Sequence, residues 1–141
     1  MDDLKKRMDK DVGCTGVELE ARKQVIRTQE TNFPNLLADL FRTESNTDFG
    51  FINMGGIRLN KVMPAGNFTH LQMQEMLPYP DNIIVLQVPG SIVKEALEKS
   101  VSLYPEAEGH WLAVSGLKFS FDPSKPTGER INPDDILLPS G

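Results

Sequence analysis

Apolar side chains recur at helical spacing behind Thr31 and Asn32, two residue types that cap helix N-termini. The apolar positions follow the order i, i+3, i+4, i+7 and i+8: Phe33, Leu36, Leu37, Leu40 and Phe41. This spacing predicts an amphipathic helix with these side chains on one apolar face. Asn46 and Asp48 favour turns, so we expect the helix to end before them.

Strand-like and helical patterns alternate downstream of this helix. The residues of Phe49–Asn53 predict a short buried strand. Thr69 is placed to cap a helix that runs through Leu77 and is ended by the prolines that follow. Ile83–Val88 is a continuous apolar run, which predicts a central strand of a sheet.

The remaining segments complete a mixed architecture. Residues 2–11 are almost entirely charged and predict a short solvated opening helix, whose sparse apolar stripe extends to Val12. Pro89–Ser91 precedes another segment of helical periodicity, and residues 111–121 predict one or two strands. Helices and strands interleave without a regular βαβ repeat. The sequence therefore predicts an α+β fold built from mixed α/β layers.

Composition and charge narrow the classes of protein and partner. A chain of 141 residues accommodates one domain. Its net charge of −5 and pI near 5.0 argue against nucleic acid as the main partner. No apolar run approaches the roughly 18 residues of a membrane span. The single Cys14 excludes an internal disulfide, and no signal peptide is visible at the N-terminus, so the compartment is left open.

Two segments carry residues suited to ligand binding. Ile52–Arg58 places Asn53, Gly55, Gly56 and Arg58 directly after a predicted strand, where a guanidinium and backbone N–H groups could meet an anion or a polar ring. A glycine turn followed by a surface arginine explains the same residues without a ligand. Both interpretations stay open from these residues alone.

The second segment presents an aromatic side chain on a stiff loop. Tyr79 stands between Pro78 and Pro80, which suits its ring to stacking on a base, although a tyrosine packed over a loop is the alternative. Neither His70 nor His110 belongs to a two-histidine metal motif. We therefore predict no catalytic residue and no metal ligand in this chain, and give little weight to an independent enzyme based on either histidine.

In order and spacing, these motifs resemble the C-terminal domain of the 5'-nucleotidase family over roughly residues 12–131. The resemblance rests on Arg27–Asn32, Asn35–Asp39, Ile52–Arg58, Gly66–Thr69, Leu77–Tyr79, the helix after Gly90, Leu112–Asp122 and Gly128–Ile131. It implies a two-part hydrolase, in which an N-terminal metallophosphatase domain holds two divalent metal ions and the C-terminal domain captures a nucleotide or nucleoside-containing substrate.

The resemblance also implies roles for individual residues. Arg58 would contact ribose or phosphate, Asn53 and the Gly55–Gly56 backbone would line the base side, and Tyr79 would be one stacking plate. Gly109 would let the backbone lie beside the base.

Two positions depart from the family pattern, and the family's pocket extends past the chain. Gln29 stands where the family often has a second arginine, and Asp81 follows the stacking aromatic where the family has a small pair, so it could accept hydrogen bonds from a base or sugar. The second aromatic plate lies in the family beyond Gly141. We thus expect residues 1–11 to be a linking helix and residues 12–141 an incomplete domain, truncated at its C-terminus.

The resemblance supports a specific functional hypothesis. The chain is expected to be the substrate-binding domain of a 5'-nucleotidase-like hydrolase, inactive alone, with no cofactor of its own and with the metal-bearing domain as its partner. The alternative is a stand-alone ligand-binding or interaction module of the same fold. The specific nucleotide, the compartment and the oligomeric state are left open.

Overall fold

The computed structural model describes residues 7–138. Over this range, short strands and helices interleave along the chain. They are β1 (Asp11–Thr15), β2 (Leu19–Glu20), α1 (Lys23–Ile26), α2 (Asn32–Ser45), β3 (Gly50–Asn53), β4 (Val62–Met63), β5 (Gly66–Thr69), α3 (His70–Met76), α4 (Gly90–Ser100), β6 (Leu112–Ser115) and a 3₁₀ turn at Pro133–Asp135. The mixed α and β class predicted from the sequence is confirmed.

The described strands form antiparallel pairs: β1 with β5, β2 with β4, and β3 with β6. Helix α2 packs against both strands of the β3–β6 pair. The largest fully buried side chains come from loops and helices on all sides of this layer: Ile26, Met54, Ile57, Leu97 and Val101. Two of them, Met54 and Ile57, lie in the loop after β3, so the core anchors the segment that carries Arg58.

Helix α2 begins and ends where the sequence predicted. Thr31 is its N-cap, and Asn46 adopts the left-handed conformation at its C-cap. The buried stripe is narrower than predicted, because Phe33 is buried whereas Leu36 and Leu40 are 43% and 47% exposed. The helix contacts the β3–β6 pair through only part of its apolar face.

Helix α3 carries the predicted cap and positions the loop that bears Arg58. The Thr69 side chain accepts a hydrogen bond from the Gln72 N–H, and the Gln72 side chain accepts one from the Thr69 N–H, which forms a capping box. At the other end of the helix, the Met76 carbonyl accepts a hydrogen bond from the Arg58 N–H at 2.9 Å. The helix thereby fixes the backbone of Arg58.

The predicted opening helix is wrong at its C-terminal end. Residues 1–6 lie outside the described residues, and β1 begins at Asp11. Val12, assigned to the helical stripe, is part of this strand. The reason is long-range pairing, since Gly13 stands opposite Phe68 and Thr15 opposite Gly66 in the ladder with β5.

The predicted central strand at Ile83–Val88 is also wrong. This segment forms no strand within the described chain, and most of its side chains are exposed. The continuous apolar run indicated that both faces of a strand are buried. In the structure, the described residues leave at least one face of this segment exposed.

A buried carboxylate joins helix α4 to the end of the chain. Glu98 is 6% exposed. Its Oε1 accepts the Ile131 N–H at 2.8 Å and its Oε2 accepts the Arg130 N–H at 3.2 Å, and Lys94 Nζ lies 3.3 Å from Oε1. Burial works to raise the pKa of Glu98, but the two backbone hydrogen bonds and Lys94 outweigh it, so the pKa is lowered.

Replacing Glu98 by glutamine is expected to lower the free energy of unfolding by about 1–3 kcal/mol at pH 7, because the amide cannot accept both charge-assisted hydrogen bonds. Because the pKa of Glu98 is lowered on folding, the ionised carboxylate stabilises the fold at pH values above the ordinary glutamate pKa of 4.5. This stabilisation is lost as the pH falls through the pKa of Glu98 in the folded protein. Urea unfolding at pH 7 and near pH 3 measures both effects. Glu95→Gln, an exposed position on the same helix, is the control. Equal stabilities of the Glu98 and Glu95 variants at pH 7 would contradict this role.

Candidate functional site

The loop after β3 lies directly against the residues before β6. The Gly55 N–H donates to the Gly109 carbonyl at 2.7 Å, and the Met54 N–H donates to the Trp111 carbonyl at 2.8 Å. Asn53 Nδ2 reaches the same Gly109 carbonyl at 3.4 Å. The backbone contacts of β3 with the residues before β6 therefore continue past Asn53 and bring residues 53–56 next to Gly109.

A side chain at either glycine would crowd the place where these two loops touch. A Cβ on Gly109 would lie 3.0 Å from the Gly55 Cα, and a Cβ on Gly55 would lie 3.2 Å from the Gly109 carbonyl oxygen. The two backbones thus meet without side chains between them. The N–H groups of Gly55 and Gly56 both have backbone partners, since Gly55 donates to the Gly109 carbonyl and Gly56 donates to the Asn53 carbonyl at 3.2 Å. These two N–H groups are therefore not free to bind an anion, which removes their part in the ligand-binding interpretation that the sequence left open.

The Arg58 side chain lies over the Tyr79 ring and next to Gly55. The Arg58 guanidinium carbon is 5.9 Å from the centre of the Tyr79 ring, within the range of a cation–π contact. One of its terminal nitrogens is 3.4 Å from the Gly55 carbonyl. Tyr79 is 51% exposed, so much of the ring is open to solvent. A cation with several unused donors and an aromatic ring therefore stand next to the glycine pair.

A second guanidinium, that of Arg27, also lies close to Gly109, although the sequence did not indicate it as a site residue. Arg27 donates to the Ala107 carbonyl at 3.3 Å, and its Cζ is 4.0 Å from the position of a Cβ on Gly109. Its Nε is buried and has no hydrogen-bond partner among the described residues. Arg27 belongs to the segment Arg27–Asn32, which contributes to the family resemblance, but nothing in the linear sequence indicates that Arg27 lies close to Gly109.

Two predicted site residues are not joined to this cluster. Gln29 is exposed and lines a separate groove of about 520 Å³ along β6, to which neither Arg58 nor Tyr79 contributes. The Asp81 side chain makes no hydrogen bond or ion pair with the residues that the structure describes. Their roles remain predictions.

The histidines lie apart from one another in different settings. His70 is the exposed first residue of α3, and His110 Nε2 lies 3.3 Å from the Ser102 hydroxyl. Within residues 7–138, no three His, Cys, Asp or Glu side chains come close enough together to hold a metal ion. No helix in this range is both long and apolar enough to cross a bilayer.

Known proteins share both the sequence pattern and the fold. The chain is 29% identical over 134 residues to the trifunctional nucleotide phosphoesterase protein YfkN of Bacillus subtilis (strain 168), with 92% of this chain and 9% of that protein covered. It is 30% identical over 138 residues to the 5'-nucleotidase of Homo sapiens, with 90% of this chain and 24% of that protein covered. The chain thus spans a quarter or less of these relatives.

A solved structure and a family model agree with these relatives. The crystal structure of a 5'-nucleotidase precursor from Thermus thermophilus superposes with a TM-score of 0.84 at 28% identity, covering 97% of this chain and 28% of that one. The family model described as 5'-nucleotidase, C-terminal domain matches residues 11–135. This chain therefore belongs to the family of 5'-nucleotidase C-terminal domains.

Proposed function

We propose that this domain is the substrate-binding part of a 5'-nucleotidase-type phosphoester hydrolase and holds a nucleoside or nucleotide between Tyr79, Arg58 and the Gly55–Gly109 contact. The observation that carries the proposal is the position of the Arg58 guanidinium beside a half-exposed Tyr79 ring. A nucleotide needs both partners, because its base offers a π-face and its phosphate offers paired oxygens.

The base side of the proposed site would be formed by the half-exposed Tyr79 ring and the backbones of Gly55 and Gly109. With the ring of Tyr79 as one plate, a base could lie against the glycine backbones, where no side chain intervenes. The exposed carboxamide of Asn53 stands at the edge of this surface and could pair with donors or acceptors of the base. We propose the same kind of contact for Asp81, whose carboxylate is free to accept hydrogen bonds from a base or sugar.

Arginine side chains would bind the phosphate or ribose of the ligand. Arg58 is exposed and can direct its planar fork at phosphate or at ribose hydroxyls. Arg27, close to Gly109 and with a buried Nε that lacks a hydrogen-bond partner among the described residues, is the second candidate. Gln29 replaces a further positive charge of the family pattern with a neutral amide, which favours a ligand of lower charge at that position.

We propose that a separate N-terminal metallophosphatase domain of the parent protein carries out the hydrolysis and holds two divalent metal ions. The described residues of this chain do not assemble a metal site. The 141-residue chain should therefore bind its ligand without hydrolysing it, and metal-dependent turnover by this chain alone would contradict the assignment.

Replacing Arg58 by alanine is expected to weaken AMP binding by about 1–2 kcal/mol, roughly 5- to 30-fold, and adenosine binding by less, because the guanidinium pairs with phosphate through charge-assisted hydrogen bonds. Titration calorimetry with both ligands at low salt measures the difference. Arg22→Ala is the control, since the Arg22 guanidinium is already paired with Glu20. Equal losses for AMP in both variants would remove Arg58 from the proposed site.

A further inference from the structure

The segment that carries Gly109 is held from two sides. Within residues 109–112, the carbonyls of Gly109 and Trp111 accept hydrogen bonds from the loop after β3. The two residues that alternate with them, His110 and Leu112, bond instead to the last residue of α4 and to the turn that follows this helix. The position of Gly109 therefore depends on α4 as well as on the loop after β3.

Two buried serine hydroxyls make the contacts on the α4 side. Ser100 and Ser102 are 2% and 8% exposed. The Ser100 hydroxyl accepts a hydrogen bond from the Leu112 N–H at 2.8 Å, and the Ser102 hydroxyl lies 3.3 Å from Nε2 of His110. Because both hydroxyls are buried, water does not readily replace a partner that is removed.

His110 donates to an acceptor that is itself fixed. The Ser102 hydroxyl donates its only proton to the Lys99 carbonyl at 2.8 Å, so it can only accept from His110, which assigns a proton to Nε2 of this histidine. The Ser102 backbone is held as well, since its carbonyl accepts hydrogen bonds from the Thr127 hydroxyl at 3.2 Å and from the Arg130 guanidinium at 3.3 Å. The hydrogen bond from His110 therefore ties its segment to a rigid part of the fold.

We propose that His110 is a positioning residue for the nucleoside, an inference that rests on the proposed function. Most residues of the loop 105–108 are exposed, and His110 is the first side chain after this loop that bonds to the end of α4. Its hydrogen bond to Ser102 limits the movement of Gly109 away from Gly55. His110 thus acts through the Gly109 backbone, against which the base is proposed to lie.

Hydrogen exchange of the ligand-free protein tests the positioning itself. The sample is the product of the full reading frame that contains this chain. His110→Ala should make the Gly55 amide, which donates to the Gly109 carbonyl, exchange roughly 2- to 10-fold faster, the factor that the loss of one net hydrogen bond gives. The amides of α2 should keep their exchange rates, because the change is local.

Two further variants identify the hydrogen bond as the cause. His110→Gln should restore the original exchange at Gly55, because its side-chain amide can place a donor near the position of Nε2. His70→Ala is the matched control and should change nothing. The His70 side chain is exposed at the start of α3 and makes no hydrogen bond with the residues that the structure describes.

Ligand binding connects the positioning to the nucleoside. Titration calorimetry of the same product, with EDTA present to prevent hydrolysis, should show that His110→Ala weakens adenosine and AMP binding by the same factor. We expect at least about a twofold loss, because only the arrangement with Gly109 against Gly55 accepts the base. Ser102→Ala should give the same loss, and the double variant should lose no more than either single variant, since both changes remove one hydrogen bond.

The possible outcomes separate this inference from the proposed function. Unchanged exchange at Gly55 in His110→Ala, no recovery in His110→Gln, or losses of affinity that add up in the double variant would overturn the positioning role alone. Faster exchange throughout α2 would also overturn it, because His110 would then stabilise the fold as a whole. An unmodified protein that binds neither adenosine nor AMP would overturn the proposed function and the positioning role together.

Discussion

Replacing Tyr79 by alanine is expected to weaken adenosine binding by about 1–3 kcal/mol, or roughly 5- to 150-fold, because base–aromatic stacking contributes that much per base. The fold should tolerate the change, since the ring is 51% exposed and its cation–π contact with Arg58 lies at the surface. Titration calorimetry of the full reading-frame product with adenosine measures the loss.

Tyr79→Phe is the matched control, because it keeps the ring face and removes only the hydroxyl. We expect its affinity for adenosine to stay within about twofold of the original. If both variants lose affinity equally, the hydroxyl and not the stacking face holds the ligand. If neither loses affinity, Tyr79 is not part of the site.

Replacing Gly116 by alanine is expected to lower the free energy of unfolding by about 2–5 kcal/mol. Gly116 has φ +76°, where an L-residue pays roughly 1–2 kcal/mol. A Cβ there would also lie 2.2 Å from the Asp48 carbonyl oxygen, a backbone atom that cannot rotate away, which adds about 1–3 kcal/mol. The substitution acts where the end of β6 meets the loop after α2, so urea unfolding should show the full loss.

Gly128→Ala separates the two causes. Gly128 also has a positive φ, +91°, but a Cβ there would meet nothing within 4 Å. We expect this variant to lose only the conformational part, about 1–2 kcal/mol. Equal losses at both glycines would mean that the loop at Asp48 yields easily and that the contact with Gly116 is unimportant.

Local signals in the sequence predicted the elements that depend on local chemistry. Thr31 and Thr69 stand at the N-caps of α2 and α3, where the sequence predicted them. The Thr69 side chain caps its helix within one turn, whereas the Thr31 side chain makes no capping hydrogen bond. Asn46 ends α2 in the left-handed conformation. The short helix at Lys23–Ile26 has no such pattern and was not predicted.

Elements that depend on distant partners could not be predicted. Val12 belongs to a strand because its neighbours Asp11 and Gly13 pair with Thr69 and Phe68, and nothing near Val12 in the sequence indicates those partners. The apolar run Ile83–Val88 indicated burial, which needs a neighbour that residues 7–138 do not provide. Leu36 and Leu40 fit the helical spacing but lie beyond the stripe that contacts β3 and β6.

In the candidate site too, local patterns indicated some residues, and distant contacts determine the others. A glycine-rich loop after a strand indicated Asn53, Gly55, Gly56 and Arg58 together, because they lie close to one another in the sequence. Tyr79 stood out through its flanking prolines. Arg27 was missed because its link to the site is a hydrogen bond to Ala107, 80 residues away. The family resemblance supplied Gly109, which residue patterns alone did not select.

We propose above all that the Gly55–Gly109 contact, with Arg58 and Tyr79, binds a nucleoside. Titrating adenosine, up to about 10 mM, into the ¹⁵N-labelled 141-residue chain and following its amide resonances tests this directly, since the range covers millimolar affinities. We predict saturable shifts at the amides of Gly55, Gly56, Gly109 and Tyr79, with residues 124–128 unchanged. Shifts confined to other parts of the chain, or no saturable shift at any of these four amides, would contradict the account.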